Sequence, residues 1–284
     1  MQNILIIGGS NFIGPHIIRN LLNRGHNIAV FNRGRTQKKY PKEIRFIQGD
    51  RNSGFPNLGH FQTIIDMCAY KGYQTERALS ELSFDFFIHM GTAAAYKKTE
   101  IFPLTEESPL GEWPLWGKYN KGKVECEEAL INSDVKFATA RPVYILGPKN
   151  YLARESFIYA KIKNGLPIIL PGNGQALTQF VFAEEVAEAI AGIAENKTEG
   201  AFNIAGDDII TLKGLVEEMA KIAGKEPKIK YNPGTDGEKF NEDEFPFANE
   251  NFFCSNKKIK GLGMNFAPFQ KTLKEDYENF YRFL

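Results

Sequence analysis

Tyr119 and Lys123 stand one helical turn apart in the stretch Tyr119-Asn120-Lys121-Gly122-Lys123. Residues at i and i+4 share a helix face. An ammonium beside a phenol favours the phenolate and lowers a pKa that is ordinarily about 10. The pair is therefore a candidate for exchanging a proton with a substrate hydroxyl. Tyr159 and Lys163 repeat the spacing, so position must choose between the two. Tyr119 opens a helical pattern that follows the fifth strand pattern, and ligands of parallel sheets collect at such strand ends. Tyr159 lies beyond a break at Gly147-Pro148. Thr92, just past the fifth strand pattern, offers a hydroxyl that can bond and orient the same substrate oxygen.

A second constellation is Gly8-Gly9-Ser10-Asn11-Phe12-Ile13-Gly14, set between an apolar run and a helical pattern. That context is the one a dinucleotide fingerprint requires. Gly8 permits the tight turn. The helix start offers free N–H groups and a positive dipole end to a pyrophosphate. Ser10, Asn11, Phe12 and Ile13 line this turn, and Gly14 lets helix and strand pack closely. Asn11 stands where the middle glycine is usual and is the residue expected to take a left-handed backbone. The residue that selects the cofactor lies about 20 positions on. An acid there would hold the ribose 2′-hydroxyl of NAD. This chain has Asn32-Arg33-Gly34-Arg35, followed by Lys38 and Lys39, with no acid before Glu43. Arg33 and Arg35 suit a 2′-phosphate, which favours NADP over NAD. The plainer reading is a solvated basic loop.

The elements that must position these groups alternate. Strands are expected at Ile4–Ile7, Ile28–Phe31, Ile44–Ile47, Thr63–Met67, Phe84–Met90 and Phe137–Ala140. Helices are expected from Ile13 to the stop at Gly25, at Thr75–Leu82 and at Gly117–Ile131. Pro15 fits the first helical turn. Alternation of this kind implies a doubly wound parallel sheet with right-handed crossovers. Beyond about residue 147 the texture changes, with Pro167 and Pro171-Gly172-Asn173-Gly174 as punctuation. Further helices are expected at Glu155–Lys163, Glu184–Glu195, Leu212–Ala223 and Leu273–Arg282, and Gly234–Asn251 reads as irregular. Residues 1–147 are expected to bind the cofactor, with parts of 175–206 returning to that unit. Residues 148–284 are expected to form most of a smaller, discontinuous substrate domain, with the pocket between the two.

Composition narrows the partners. The chain has 284 residues, 43% hydrophobic and 24% charged, ordinary for a globular protein. Lys plus Arg (35) nearly balances Asp plus Glu (34), for a net charge of +1. That excludes attachment to nucleic acid by bulk charge, though not a local basic patch. No apolar run approaches the roughly 18 residues of a membrane span, and no signal peptide is legible. Cys68, Cys126 and Cys254 are far apart, which argues against a disulfide scaffold and fits a reducing cytoplasm. His16, His26, His60 and His89 are not spaced as ligand pairs, so no metal is expected. Cys68 and His89 read as core residues. Trp113 and Trp116 read equally as pocket wall or loop packing.

Taken together these motifs resemble an extended or atypical short-chain dehydrogenase/reductase of the NAD-dependent epimerase/dehydratase group. The resemblance covers nearly the whole chain: Gly8–Gly14, Thr92 four residues before Tyr96, Tyr119 with Lys123, Arg141-Pro142 with Gly147-Pro148, Phe180 to Ala187, and Phe202 to Gly206. It implies a Rossmann-type fold, a catalytic Thr92, Tyr119 and Lys123 triad, and contact of Lys123 with the nicotinamide ribose. It implies an adenine contact for Asp50, a nicotinamide wall at Cys68 and Ala69, and a homodimer through the Tyr-bearing helix. The implied chemistry is hydride exchange at a carbinol carbon of a sugar or nucleotide sugar, as epimerisation or reduction. A closer resemblance, through Phe245-Pro246-Phe247 and Phe252-Phe253-Cys254-Ser255, is to chloroplast stem-loop-binding proteins and their bacterial relatives. Some of these are associated with RNA, which gives a second expectation: an RNA-binding protein on a dehydrogenase scaffold. Three departures matter. Ala93 and Ala94 replace the acids usual in sugar 4,6-dehydratases. Thr178 and Gln179 stand where an Arg commonly holds a nucleotide-sugar diphosphate. The fourth strand ends in Asp66-Met67-Cys68-Ala69 rather than an apolar-Ala-Ala run.

Overall fold

The computed structural model describes residues 1–36 and 40–284, so Lys38 and Lys39 of the basic loop lie outside the described residues. The strands in chain order are β1 (Asn3–Ile7), β2 (Asn27–Asn32), β3 (Arg45–Gln48), β4 (His60–Phe61), β5 (Thr63–Asp66), β6 (Ser83–Phe84) and β7 (Phe87–Met90). They continue as β8 (Phe137–Pro142), β9 (Tyr144–Leu146), β10 (Pro167–Pro171), β11 (Leu177–Phe182), β12 (Gly200–Ile204), β13 (Ile209–Thr211) and β14 (Lys228–Asn232). The helices are α1 (Ile13–Asn23), α2 (Gly72–Glu81), α3 (Gly117–Ile131), α4 (Glu155–Lys163), α5 (Ala183–Asn196), α6 (Leu212–Ile222), α7 (Lys257–Gly261) and α8 (Phe269–Asn279).

Seven strands form one parallel sheet in the order β12-β8-β7-β5-β1-β2-β3. β1 is apolar from Ile4 onward because helices cover both its faces. Ile4 and Ile6 pack with Ile17 and Leu21 of α1 and Val186 and Ile190 of α5. Leu5 and Ile7 face the other way, toward Ala78 of α2 and Leu130 of α3. The chain winds outward from β1 through β2 to β3, then returns to β5 on the other side of β1. The order reverses there, and a crevice opens at the carboxyl ends of β1 and β5. The expected doubly wound α/β fold is what the chain adopts.

α3 and α4 occupy the residues expected of them, Gly117–Ile131 and Glu155–Lys163. The expected fifth strand is two pieces, β6 and β7, separated at Asp85-Phe86. α8 begins four residues earlier than expected. Buried Phe269 anchors its first turn, and the Phe269 N–H donates to Asp208 Oδ2 at 2.9 Å. Two small sheets, β13-β11-β9 and β10-β14, were not expected as sheets. Gly234–Asn251 is irregular apart from a short 3-10 turn at Gly237–Lys239. Phe245, Phe247 and Phe252 are buried, as core residues.

Candidate active site

The glycine turn follows β1. Gly8 (φ +92°) and Gly9 (φ +69°) take left-handed backbone, and the Gly8 N–H donates to Phe31 O at 2.9 Å. The third left-handed residue is Phe12 (φ 47°), not Asn11. Asn is the statistical favourite for such a position, but the Phe12 side chain is buried and anchors that conformation, while Asn11 is exposed. A Cβ on Gly14 would stand 2.2 Å from Gly9 O, so the close approach that requires glycine is to the turn itself. Ser10 and Ile13 are half-buried. No side chain caps the start of α1; the Gly14 N–H donates to Asn11 O at 3.0 Å, and the helix start otherwise presents N–H groups and a positive dipole end to an acceptor from outside the chain.

Asn32, at the end of β2, ties the second loop to this turn. Its amide donates to Gly8 O (3.2 Å) and to the Tyr40 hydroxyl (2.9 Å) and accepts the Gly34 N–H (2.8 Å). Arg33 and Arg35 are exposed. Asp50 Oδ1 accepts the Asn52 N–H at 2.9 Å and closes a turn. Cys68 is half-buried, and its Sγ would lie 3.0 Å from a Cβ on Gly8. Asp66 is fully buried in an ion pair with Arg51 at 2.5 Å. Arg51 Nη1 also donates to Cys68 Sγ (3.6 Å), and Nη2 donates to Gln74 O (2.7 Å). A buried charge alone would be costly; the pair explains how Asp66 occupies a usually apolar position.

Thr92, Tyr119 and Lys123 meet at the ends of β5 and β7. Thr92 Oγ1 accepts the Ala94 N–H at 3.1 Å, and the same hydroxyl hydrogen-bonds the Tyr119 phenol. Lys123 is buried, and its Nζ donates to Ala69 O (2.9 Å) and Met90 O (2.7 Å). That joins the end of β7 to the loop after β5 and accounts for two of its three N–H bonds. Tyr119 is 42% exposed as a residue, yet its phenol sits against protein. Burial pushes its pKa up; a hydrogen bond with the Thr92 side chain and the charge of Arg154 pull part of the way back. The sequence expectation was the opposite sign. The reason is distance: Lys123 Nζ lies 6.0 Å from the Tyr119 ring centroid, and burial outweighs it.

Two residues near this site were missed. Arg51 pairs with Asp66, and the Tyr70 ring lies by Lys123, with Nζ 4.8 Å from its centroid. Tyr70 directly follows Ala69, so the rule that ligands gather at strand ends could have flagged it. The competing pair is elsewhere: Tyr159 is buried between Tyr277 and Tyr281. His89 is fully buried, but neither ring nitrogen has a partner among the described residues, so it is not the satisfied core histidine expected. Burial holds its pKa well below the usual value, which keeps it neutral. Trp113 packs against Phe252 and donates to Glu250; Trp116 packs against Tyr144 and Phe252. Both pack loops, and Trp113 also lines a cleft with Lys98, Phe102 and Glu250. Gln179 is spent on the backbone, donating to Gly206 O (2.6 Å) and accepting the Cys254 N–H (2.8 Å). A groove between α1 and α5 is a separate feature, whose Arg19, Arg24, Glu184 and Glu188 pair with one another.

Comparison with known proteins agrees with this fold. The profile of the NAD dependent epimerase/dehydratase family matches residues 4–54 and 56–205. The chloroplast stem-loop binding protein of 41 kDa b of Arabidopsis thaliana is 31% identical over 91% of this chain and 73% of its own length. The chain spans 63% and 64% of the length of two further curated relatives. Among solved structures, UDP-N-acetylglucosamine 4-epimerase from Methanobrevibacter ruminantium M1 superposes with a TM-score of 0.82 at 17% identity, covering 100% of this chain and 99% of that one. The UDP-glucose 4-epimerase of Thermus thermophilus, in complex with NAD, gives 0.75 at 18% identity with 99% of both chains covered. On the family profile and the 31% identical relative, the chain belongs to the NAD dependent epimerase/dehydratase family.

Proposed function

We propose that this chain is an NAD(P)-dependent epimerase or reductase acting at a carbinol carbon of a sugar-like substrate. The observation that carries the reading is Lys123, buried and bonded to Ala69 O and Met90 O beside Tyr119 and Thr92. The residues present fit a dinucleotide. The uncapped start of α1 and the glycine at position 14 would receive the pyrophosphate. Cys68 and Ala69 would wall the nicotinamide, and Lys123 would hold its ribose. Asp50 would meet the adenine. A bound nicotinamide supplies hydride acceptance or donation.

The chain's own residues handle the proton. Because burial raises the Tyr119 pKa, the phenol is protonated at neutral pH and acts first as an acid toward a ketone oxygen. When a substrate oxygen enters, the Thr92 hydroxyl turns from Tyr119 to that oxygen and fixes its position. Ala93 and Ala94, both buried and apolar, offer no acid for 4,6-dehydration. The structural relatives named for nucleotide sugars support a sugar-like substrate. The engaged amide of Gln179 means that any diphosphate would need another partner. Residues 1–147 and the strand β12 would carry the cofactor, and most of 148–284 the substrate. A cytoplasmic homodimer is the assembly we propose.

NADP(H) is the proposed cofactor, held through Arg33 and Arg35. One bidentate Arg–phosphate contact contributes about 1.5–3 kcal/mol, roughly tenfold to a hundredfold in affinity. Calorimetric titration with both cofactors tests this: NADP(H) should bind more tightly, and Arg33→Ala should erase the preference. Equal affinities in the native chain would remove it. Stem-loop RNA retained on a filter with a steep salt slope, together with no hydride chemistry on a sugar and alcohol panel, would replace the enzyme reading with an RNA-binding one.

A further inference from the structure

We propose that Tyr70 is a positioning residue of this site: its ring covers the side of the Lys123 ammonium that the backbone leaves open and keeps the lysine cationic. The inference rests on the Tyr119 and Lys123 reading above. Lys123 Nζ is 4.8 Å from the Tyr70 ring centroid and 6.0 Å from that of Tyr119, so the nearer ring is Tyr70. The two rings lie 6.3 Å apart, tilted by 48°. An ammonium within about 6 Å of an aromatic face is attracted by the ring quadrupole, most strongly where water is excluded.

The anionic and thiol neighbours favour the ammonium without an ion pair or hydrogen bond to it, and the Tyr70 ring is the aromatic face nearest to it. Asp66 and Cys68 face Lys123 from the end of β5 and beyond it, His89 from β7, and Tyr119, Cys126 and Glu127 from α3 itself. The two carboxylates pair with arginines, although Asp66 Oδ2 has no hydrogen-bond partner among the described residues. Arg51 holds Asp66 at 2.5 Å, and Arg141 holds Glu127 at 2.6 Å. Lys123 makes no ion pair among the described residues, and its burial disfavours the charged form. Two carbonyls accept from it, and the Tyr70 face is the further electron-rich surface close by. Tyr70 is itself half open to solvent, with 48% of its surface exposed, so replacing it does not hollow the core.

The test reads Lys123 directly. The full-length protein is labelled with 13Cε-lysine, the Lys123 signal is assigned by its loss in Lys123→Met, and its shift is followed by NMR from neutral to strongly alkaline pH. Tyr70→Leu should move the titration midpoint down by about one pH unit, the size expected of a desolvated cation–π contact. Tyr70→Phe keeps the ring and should titrate like the native chain. An unchanged midpoint in Tyr70→Leu overturns the proposal, and so does an equal drop in both variants, which would implicate the hydroxyl. NADPH titration of the same samples separates the two ideas. If the native chain binds no dinucleotide, the dehydrogenase reading fails, while the lysine midpoint still decides the role of Tyr70.

Discussion

Two places in this molecule carry Tyr-x-x-x-Lys, and they have little in common beyond the spacing. At the first, Lys123 bonds the carbonyl that ends β7 and one in the loop after β5, and the Tyr119 hydroxyl meets Thr92. At the second, Lys163 also donates to two backbone carbonyls, Arg282 O (3.2 Å) and Leu284 O (2.6 Å). There the tyrosine is shut in. Tyr159 is 1% exposed, its ring 4.8 Å from Tyr277 and 5.2 Å from Tyr281, and its hydroxyl is buried without a partner among the described residues. Both lysines pin backbone. What separates the pairs is which backbone is pinned and whether a substrate can touch the phenol. Spacing supplies a shared helix face; chemistry also needs access and a neighbouring hydroxyl.

The sharpest way to break this contrast is to remove each phenolic oxygen in turn. Tyr119→Phe should cut turnover by about 10²–10⁴, with NADP(H) affinity within about twofold of native. Steady-state kinetics and calorimetry read the two quantities. Tyr159→Phe should leave turnover alone, and activity lost there instead would reverse the assignment. Exchanging the lysines comes next. Lys123→Met should abolish turnover and weaken cofactor binding by roughly tenfold to a hundredfold, the worth of one charged hydrogen bond. Lys163→Met should lower only the thermal midpoint, by a few degrees, which scanning calorimetry would detect.

Smaller effects sharpen the second region. Removing the partnerless hydroxyl in Tyr159→Phe should leave the thermal midpoint unchanged or raise it slightly, because no hydrogen bond is lost. Asp276, on the neighbouring helix, has its carboxyl pushed up to about 7 by burial, with Glu155 and Glu184 adding to the effect. A carboxyl raised in the folded state favours folding in its protonated form, so its ionisation costs stability as pH climbs from about 4 to 7. Asp276→Asn should therefore raise the thermal midpoint above pH 7 by a few degrees at most, with the gain gone near pH 4. A gain of equal size at both pH values would mean that the charge is not the cause.

The legible parts of this chain are those with local signals. α3 and α4 match their expected limits because each is a complete pattern between breakers. The glycine turn and Tyr119 with Lys123 were legible for the same reason. The illegible parts depend on partners distant in the chain. β11 lies between β9 and β13, drawn from residues 177–182, 144–146 and 209–211. α7, with five residues, is too short to show a period. The sign of the Tyr119 shift was misread because sequence proximity says nothing about burial. The Arg51–Asp66 pair, 15 residues apart, left no pattern to read. Asn11 lost the left-handed position to Phe12 because packing overrode backbone preference.

Phe12 illustrates a balance with a mechanical outcome. Glycine would suit its backbone better, and a left-handed bulky residue costs about 1–3 kcal/mol. Burying a phenylalanine contributes about 1.5–3 kcal/mol, so the two nearly offset each other. The ring reaches across to the other half of the chain. It meets Tyr151 edge-on at 6.2 Å, and its Cε2 lies 3.7 Å from where a Cβ on Gly147 would stand. One side chain thus acts as a dowel between the turn after β1 and the loop around Gly147 and Tyr151, and neither can be reshaped without disturbing the fit of the other.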